Sequence, residues 1–336
     1  MTTADHMFRA RVTAVHKSRW EIDPGGSAVL AGAFIPDPAD LPVVGDWVIA
    51  ESHGTLCRIV EVEPRRGLLA RKRPGDSEHD AVVEQPLAAN IDLALLTMAV
   101  DDDFSMRRLE RYLTLAWDSG ATPLVVLTKS DLADTARLVR LTAEVGSVAF
   151  GSQCIETSSH TGAGLERVRA VLTPGTVAVL LGSSGVGKSS LLNALAGEDL
   201  QAVTGVREFD GKGRHTTTTR RLVELPWGAY LVDTPGLREL QLWGDEDSLA
   251  SSFPDVEEIA AHCRFNDCRH EGEPECAVAR AALTGELPAD RLESWRRLRR
   301  ELAHLARKTD PVAARAERNK WRSIAKSRRT LNRDRP

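Results

Sequence analysis

The chain has 336 residues, of which 42% are hydrophobic and 27% are charged, an ordinary composition for a soluble protein of two or three domains. No run approaches the roughly 18 apolar residues of a membrane span, and the polar opening MTTADHMFRARVT lacks the apolar core of a signal peptide. We therefore expect a cytoplasmic protein without membrane association, in which five cysteines favour metal binding over disulfides.

The net charge of −4 hides two regions of opposite sign. Residues 291–336 contain 16 Lys or Arg and 5 Asp or Glu, a net charge of +11, so the first 290 residues carry −15. A basic segment on an acidic body favours a polyanionic partner such as nucleic acid. On charge alone, a solvated basic surface is the alternative.

Residues 1–75 predict a small β domain. Short β-like runs cover residues 9–15, 27–33, 43–51 and 55–63, and turn signals rich in Gly, Pro and Asp separate or bend them. This spacing favours a β-barrel, with an OB-fold as the leading interpretation, and such barrels often bind RNA. A small β domain with an unknown partner is the alternative. Residues 71–85 are predicted to be a linker.

Residues 76–247 predict strands that alternate with helices. We expect strands at 91–100, 121–127, 148–157 and 176–181, helices at 105–119, 131–144, 164–172 and 190–196, and a final strand pair at 221–224 and 229–232. This alternation favours an α/β domain with a doubly wound, largely parallel sheet and helices on both faces.

The strand at 176–181 leads into a full match to the phosphate-loop pattern G-x-x-x-x-G-K-[ST]. Glycines let backbone N–H groups approach phosphate oxygens, Lys188 can reach the β and γ phosphates, and the Ser189 hydroxyl can ligate Mg²⁺. The positive N-terminus of the following helix faces the anion. The predicted phosphate-binding residues are Gly182, Ser183, Ser184, Gly185, Val186, Gly187, Lys188, Ser189 and Ser190.

Two further stretches indicate that the nucleotide carries guanine. Residues 128–131 read Thr-Lys-Ser-Asp, close to the Asn-Lys-x-Asp element of regulatory GTPases. Asp131 would accept hydrogen bonds from guanine N1–H and N2–H, and the Lys129 stem would pack on the base. Ser158 and Ser159 resemble a second guanine loop, in which the Ser159 N–H would meet guanine O6. We therefore expect GTP or GDP with Mg²⁺, and an ATP-dependent kinase or transporter-type protein is the alternative.

Residues 211–236 supply the remaining candidates for the nucleotide site. In the sequence Asp-Thr-Pro-Gly, Asp233 is predicted to hold Mg²⁺ through water and the Gly236 N–H to contact the γ-phosphate. Among four consecutive threonines, Thr217 is the predicted Mg²⁺ ligand beside Ser189.

Leu237 follows Gly236, where many GTPases place a water-orienting glutamine. His215 is therefore the internal candidate for orienting the water, and with Lys188 it makes up the predicted catalytic set. A loop histidine that only contacts a partner is the alternative for His215.

The order of these motifs is unusual. In the common GTPase layout the phosphate loop comes first, whereas here Thr128, Asp131 and Ser158 precede Gly182. A circular permutation would produce this order, because the same sheet is then entered at a different strand. It also places Asp233 shortly before the C-terminal region, so that a change on hydrolysis could pass to the next domain.

Residues 248–336 predict a helical domain with a metal site and a basic C-terminal tail. Cys263, Cys268, His270 and Cys276 lie within fourteen residues and form the Cys₃His set of a structural Zn²⁺ site, with free thiols as the alternative. Helices are expected at 254–261, 277–283 and 289–307. The basic segment 315–335 is predicted to contact RNA. Cys57 and Cys154 are expected to be core residues.

Together the barrel, the guanine loops ahead of Gly182, the segment 213–218, the Asp233 turn and the cysteine cluster resemble the RsgA/YjeQ family of bacterial circularly permuted GTPases. The resemblance covers nearly the whole chain. It implies an OB-fold, a permuted GTPase domain and a zinc domain.

The resemblance also implies GTP hydrolysis stimulated by the 30S ribosomal subunit and a role in late 30S maturation. The partners would be the 30S subunit and its 16S rRNA, bound by a monomer. Thr128 stands where the family usually has Asn, and the missing amide is expected to weaken the bracing of the loops and nucleotide affinity. The alternative function is an RNA-binding module that senses guanine nucleotides and hydrolyses them only incidentally.

Overall fold

A computed structural model of the chain describes residues 6–16, 18–30, 40–54, 56–72, 84–197, 220–233 and 246–309. Within these ranges, no helix has both the length and the apolarity needed to cross a bilayer.

The N-terminal strands close into a five-stranded barrel, as the OB-fold interpretation predicted. The strands are β1 (Met7–Val15), β2 (Trp20–Asp23), β3 (Gly26–Leu30), β4 (Trp47–His53) and β5 (Leu56–Val62). Their order is β1-β2-β3-β5-β4, and β4 pairs back with β1 to close the barrel. Alternate residues of β1 point inwards, where Ala10 and Val12 are fully buried.

The barrel differs from the prediction at two places. The four-residue strand β2 was not predicted, and the strand expected over 43–51 begins only at Trp47. The second difference arises because Gly45 has a φ of 92° and the buried Asp46 carboxylate accepts a hydrogen bond from the Val43 N–H at 2.8 Å, which forms a turn.

A two-stranded hairpin follows the barrel, formed by β6 (Leu68–Lys72) and β7 (Glu84–Ala89). The described residues at both ends of the predicted linker over 71–85 therefore belong to strands. One strand of the hairpin comes before the predicted domain boundary at residue 75 and the other comes after it. Gly67, directly before the hairpin, packs against the backbone of Ser119, so that a Cβ at Gly67 would be 2.2 Å from the Ser119 carbonyl oxygen.

The central sheet confirms the doubly wound α/β prediction. Its strands are β8 (Leu93–Ala99), β9 (Thr122–Thr128), β10 (Gln153–Glu156), β11 (Val177–Leu181), β12 (Arg220–Glu224) and β13 (Tyr230–Asp233). They lie in the order β10-β9-β8-β11-β13-β12, all parallel except β12. Strands β9 and β10, which lead into the predicted guanine loops, come before β11 in the chain, which is the order expected of a circularly permuted domain.

Helices cover both faces of this sheet. They are α1 (Met106–Asp118), α2 (Thr135–Gly146), α3 (Leu165–Val171) and α4 (Lys188–Ala196). Neighbouring residues of β8 enter different cores: Leu96 packs in the core that includes α1 and α2, and Leu95 packs in the core that includes α3 and α4. Helix α2 begins later than predicted because a 3₁₀ turn over Ser130–Leu132 comes first. The Asp134 carboxylate then caps α2 by accepting from the Arg137 N–H at 2.7 Å.

The sheet does not end at β12. Strand β12 also pairs with β1 of the barrel, with Ala14 opposite Arg221 and Val15 opposite Arg220. Eleven strands therefore form one continuous hydrogen-bonded sheet that joins the barrel to the α/β domain. The sequence pattern did not predict this junction.

The C-terminal region is helical, as predicted. It contains α5 (Glu246–Ser252), which the sequence did not predict, followed by α6 (Pro254–Ala260), α7 (Ala277–Thr284) and α8 (Ala289–Thr309). Helix α8 buries one apolar side, formed by Leu292, Trp295, Leu298 and Leu302.

A buried ion cluster joins this helical domain to α1. Arg291 and Glu110 each have only 4% of the side chain exposed, and the Arg291 Nη1 donates to the Glu110 carboxylate at 2.9 Å. Arg291 also makes two hydrogen bonds to Asp255 and stacks on Phe253 at 4.0 Å. The ion pair Arg111–Glu301 adds a second link between α1 and α8.

We expect Arg291→Met to lower the free energy of unfolding by about 3–5 kcal/mol, because it leaves the Glu110 carboxylate buried without its partner. Urea denaturation followed by circular dichroism measures this loss. The matched control is Glu293→Gln, since the exposed Arg107–Glu293 pair at 3.7 Å should contribute less than about 1 kcal/mol. Equal losses in the two variants would contradict the prediction.

Candidate nucleotide site and metal centre

The predicted phosphate loop follows β11 and ends where α4 begins at Lys188. A Cβ at Gly182 would lie 2.3 Å from the Thr97 hydroxyl oxygen and 2.6 Å from the Thr97 carbonyl oxygen, so only glycine fits there. Gly185 and Gly187 have φ values of 81° and 96°, which a residue with a side chain rarely adopts. The three glycines therefore give the loop the tight backbone that the pattern predicts.

The Lys188 ammonium group is held by the loop itself. Its Nζ donates to the carbonyl oxygens of Gly182 at 2.7 Å and Ser183 at 2.6 Å. Ser184 lies exposed at the tip, while Ser189 and Ser190 occupy the first turn of α4 and are half-buried. The loop thus combines a fixed cation with a helix N-terminus, an arrangement suited to phosphate.

The two predicted guanine loops lie side by side. The backbone N–H of Ser130 donates to the Thr157 carbonyl oxygen at 3.0 Å. A hydrogen bond from Ser158 lowers the pKa of Asp131, so the carboxylate stays ionised and able to accept hydrogen bonds at neutral pH. Ser158 is fully buried, and its hydroxyl oxygen also accepts from the backbone N–H groups of His160 and Thr161. Ser159 follows it and is half-buried.

Thr128 connects the first guanine loop to the phosphate loop. Its hydroxyl donates to the Val186 carbonyl oxygen at 2.5 Å and lies 3.3 Å from the Met98 carbonyl oxygen. The sequence predicts that the missing amide weakens the bracing of the loops at this position. The hydroxyl supplies such a contact instead, because β9 ends directly beside Gly187.

Sequence reasoning missed three polar residues at this edge of the sheet. The Lys129 Nζ donates to the Asp101 carboxylate at 2.8 Å. Asp103 and Arg108 both contact the Ser183 hydroxyl, at 2.8 Å and 2.9 Å. A signal was present, since residues 101–103 are three aspartates directly after a buried strand, where sites of parallel sheets are formed.

The remaining predicted site residues are described only in part. Asp233 is the last residue of β13, which pairs with β11, so its backbone lies at the same edge as the phosphate loop. His215, Thr217 and Gly236 lie outside the described residues.

The four predicted metal ligands come together. The candidate ligand atoms of Cys263, Cys268, His270 and Cys276 all lie within 4.8 Å of one another. The Nδ1 of His270 is 3.6 Å from the Cys263 Sγ and 3.4 Å from the Cys276 Sγ, and those two sulfurs are 4.0 Å apart. Four ligands around one ion at about 2.0–2.3 Å have similar spacings, so the cluster can hold a metal ion.

The ligand loop is held by helices on both sides. The Cys276 sulfur caps α7 by accepting from the Ala279 N–H at 3.3 Å. On α8, Trp295 packs against the His270 ring at 5.2 Å between centroids, and Arg296 donates to the His270 carbonyl oxygen. The sequence did not reveal these supporting contacts from α8.

The two other cysteines were predicted to be core residues, and the structure confirms this for Cys57, whereas Cys154 is half-buried and packs against the core of the α/β domain. Cys57 is buried in the barrel core. Burial raises the pKa of Cys154 to about 11, so its thiol stays protonated.

Comparisons with known proteins agree with this arrangement. A family model described as RsgA GTPase matches residues 62–243. The small ribosomal subunit biogenesis GTPase RsgA 1 of Listeria innocua is 43% identical over 331 residues, which cover 97% of this chain and 92% of that protein. The corresponding RsgA of Streptomyces avermitilis is 42% identical over 95% of this chain and 86% of its own length.

Two solved structures share the fold. YjeQ from Thermotoga maritima superposes with a TM-score of 0.65 at 29% identity, covering 88% of this chain and 99% of that one. YloQ, a circularly permuted GTPase, superposes with a TM-score of 0.64 at 23% identity, covering 90% of this chain and 97% of that one. The family model matches more than half of this chain, and a relative is 43% identical over 97% of this chain, so with its permuted sheet and its phosphate loop the chain belongs to the RsgA GTPase family.

Proposed function

We propose that this chain is a GTPase that binds the small (30S) ribosomal subunit and hydrolyses GTP to GDP and phosphate during late assembly of that subunit. The observation that carries the proposal is the meeting of one phosphate loop and two guanine loops at one edge of a permuted sheet. The chain's family supports it, since its relatives are named small ribosomal subunit biogenesis GTPases. Such a role would place the protein in the cytoplasm, and we propose that it acts as a monomer.

In this proposal the nucleotide is GTP or GDP with Mg²⁺. Asp131 reads the guanine edge, Lys129 packs on the base, and Ser158 and Ser159 shape the second guanine loop. Residues 182–190 hold the phosphates. Ser189, Thr217 and Asp233 would hold Mg²⁺, which would neutralise charge on the phosphate oxygens.

Hydrolysis requires a positioned water, and His215 is the proposed residue for that task. Leu237 cannot orient water in the way that glutamine does, so turnover without a partner should be slow. The basic C-terminal segment 315–335 is the proposed contact with 16S rRNA, because its charge complements the phosphate backbone.

We expect isolated 30S subunits to raise the GTP turnover of this chain by at least about tenfold, since a partner that completes a GTPase site can give far larger gains. Phosphate release measured with the chain alone, with 30S subunits and with 50S subunits tests this. Absence of stimulation by 30S subunits would instead favour a guanine-nucleotide sensor with incidental hydrolysis.

In equilibrium nucleotide-binding titrations, Asp131→Asn should weaken GTP binding by roughly tenfold or more, because the ionised acceptor of two hydrogen bonds is lost. The matched control is Asp134→Asn, which changes the same charge nearby and keeps a good cap for α2. An ATP-dependent enzyme would be indifferent to Asp131→Asn and would bind ATP in competition experiments.

Thr128→Val keeps the side-chain volume and removes the hydroxyl that contacts the Val186 carbonyl oxygen. We expect it to lower the free energy of unfolding by about 1–2 kcal/mol and to weaken GDP binding, because a buried acceptor loses its partner beside the phosphate loop. Thr128→Ser retains the hydroxyl and should stay close to the parent chain in both measurements. Similar behaviour of the two variants in denaturant and nucleotide titrations would refute this role of the hydroxyl.

We propose that the Cys₃His cluster binds one structural Zn²⁺, since three thiolates and an imidazole suit that ion. Elemental analysis of the purified protein should give close to one zinc per chain. Cys276→Ser should lose the metal and destabilise α7, whereas the control Cys154→Ser should keep it. Well under one zinc per parent chain would count against the assignment.

A further inference from the structure

The loop between β8 and α1, residues 100–105, carries three consecutive aspartates and is here called the acidic loop. It leaves the sheet at the same edge as the phosphate loop and the guanine loops. The proposed function assigns no role to it, although two of its three carboxylates contact residues of the proposed nucleotide site.

Asp101 holds the side chain of Lys129. The Lys129 Nζ donates to the Asp101 Oδ2 at 2.8 Å, and about one third of each side chain is exposed. This hydrogen bond lowers the pKa of Asp101, so the carboxylate is ionised at neutral pH. Lys129 itself has a backbone φ of 58°, a conformation uncommon for residues with a side chain. Both the backbone and the ammonium group of Lys129 are therefore fixed before any base is bound.

Asp103 acts in the same way on the phosphate loop. Its Oδ2 accepts from the Ser183 hydroxyl at 2.8 Å and from the Arg108 Nη1 at 2.6 Å. Arg108 also donates to the Ser183 hydroxyl oxygen at 2.9 Å, which completes a closed triangle of hydrogen bonds. The Arg108 hydrogen bond lowers the pKa of Asp103, so this carboxylate is also ionised.

By their charge alone, these carboxylates would weaken nucleotide binding. They lie at the edge where the anionic phosphates of a nucleotide are proposed to bind, and like charges repel. An acidic loop that did nothing else would weaken nucleotide binding, and removing a carboxylate would strengthen it. Hydrogen bonds that position a lysine and a serine of the site have the opposite effect, because less freedom is then lost on binding.

We propose that Asp101 and Asp103 are positioning residues for guanine-nucleotide binding, with Asp101 acting through Lys129 at the base and Asp103 acting through Ser183 at the phosphates. This inference rests on the proposed function, since it assigns a task within the same nucleotide site. Neither carboxylate is assigned a contact with the nucleotide.

The test compares Asp101→Asn and Asp103→Asn with Asp102→Asn in the full-length protein, using fluorescently labelled GDP and GTP. Asp102 is the matched control, because its carboxylate is fully exposed and lies 3.6 Å from the Arg137 guanidinium. We expect the dissociation constants to rise roughly three- to tenfold for Asp101→Asn and Asp103→Asn, as for partly exposed charge-assisted hydrogen bonds. Asp102→Asn should leave them unchanged or slightly lower, and kcat at saturating GTP should be little altered in all three variants.

Double-mutant cycles then establish the route of each effect. The loss from Asp101→Asn should disappear in a Lys129→Met background, and the loss from Asp103→Asn should disappear in a Ser183→Ala background. The crossed combinations, Asp101→Asn with Ser183→Ala and Asp103→Asn with Lys129→Met, should be additive. Thermal unfolding without nucleotide shows whether each variant is folded. General destabilisation would not make the loss from each aspartate variant depend on one particular partner residue, so the cycles distinguish it from the proposed positioning role.

The inference is overturned if Asp101→Asn and Asp103→Asn bind nucleotide as tightly as Asp102→Asn, or if their losses persist in the Lys129→Met and Ser183→Ala backgrounds. Failure of the proposed function gives a different result. If the proposed guanine-nucleotide site is wrong, the parent chain would not bind labelled GDP or GTP at all, and if only the role on the 30S subunit is wrong, 30S subunits would not stimulate turnover; failure of this inference alone leaves both the parent affinity and the stimulation intact.

Discussion

The parallel pairing of β11 between β8 and β13 is the constraint on which the site depends. Parallel strands place their carboxyl ends at one edge, so the loops that follow them must meet there. These loops lie at the same edge whatever the order of the strands along the chain. A circular permutation can therefore move the guanine loops ahead of the phosphate loop and still bring Asp131, Ser158 and Lys188 to one edge.

This edge is organised by short polar contacts between loops that are far apart in the sequence. Thr128 links the first guanine loop to the phosphate loop, and Asp103 links the acidic loop to Ser183. The Lys188 ammonium is already held by two carbonyl oxygens of its own loop. Each contact restricts a group before a ligand arrives, which reduces the entropy lost on binding.

Much of the fold could be predicted from the sequence, because long periodic segments and glycine-rich loops give local signals. The glycine at 182 is a clear case, since the phosphate-loop pattern and the missing space for a Cβ agree. Short or interrupted elements gave weaker signals. The four-residue strand β2, the short helix α5 and the hairpin β6–β7 were not predicted, and the linker predicted over 71–85 overlaps only the inner ends of the two hairpin strands.

Pairs that are distant in the sequence could not be predicted at all. Arg291 counts towards the basic C-terminal region, which predicted an exposed surface for nucleic acid. In the structure it is buried against Glu110, a residue 181 positions away. Arg296 and Arg299 likewise donate to backbone carbonyls of the metal-ligand loop. Some arginines of α8 therefore stabilise the fold. Sequence composition cannot distinguish them from basic residues that are available to bind nucleic acid.

The two junctions of the α/β domain differ in what they require of the sequence. The barrel joins the central sheet through backbone hydrogen bonds between β1 and β12, and the Arg221–Glu21 ion pair beside them is exposed. The helical domain joins α1 through the charged residues Arg291, Glu110 and Asp255. Replacing Arg291 or Glu110 alone by an uncharged residue would leave a buried charge without its partner, so these residues can be replaced only together. Exposed positions beside the β1–β12 pairing, such as Arg221 and Glu21, can thus vary one at a time in evolution, whereas the buried charges of the other junction can change only by concerted substitution.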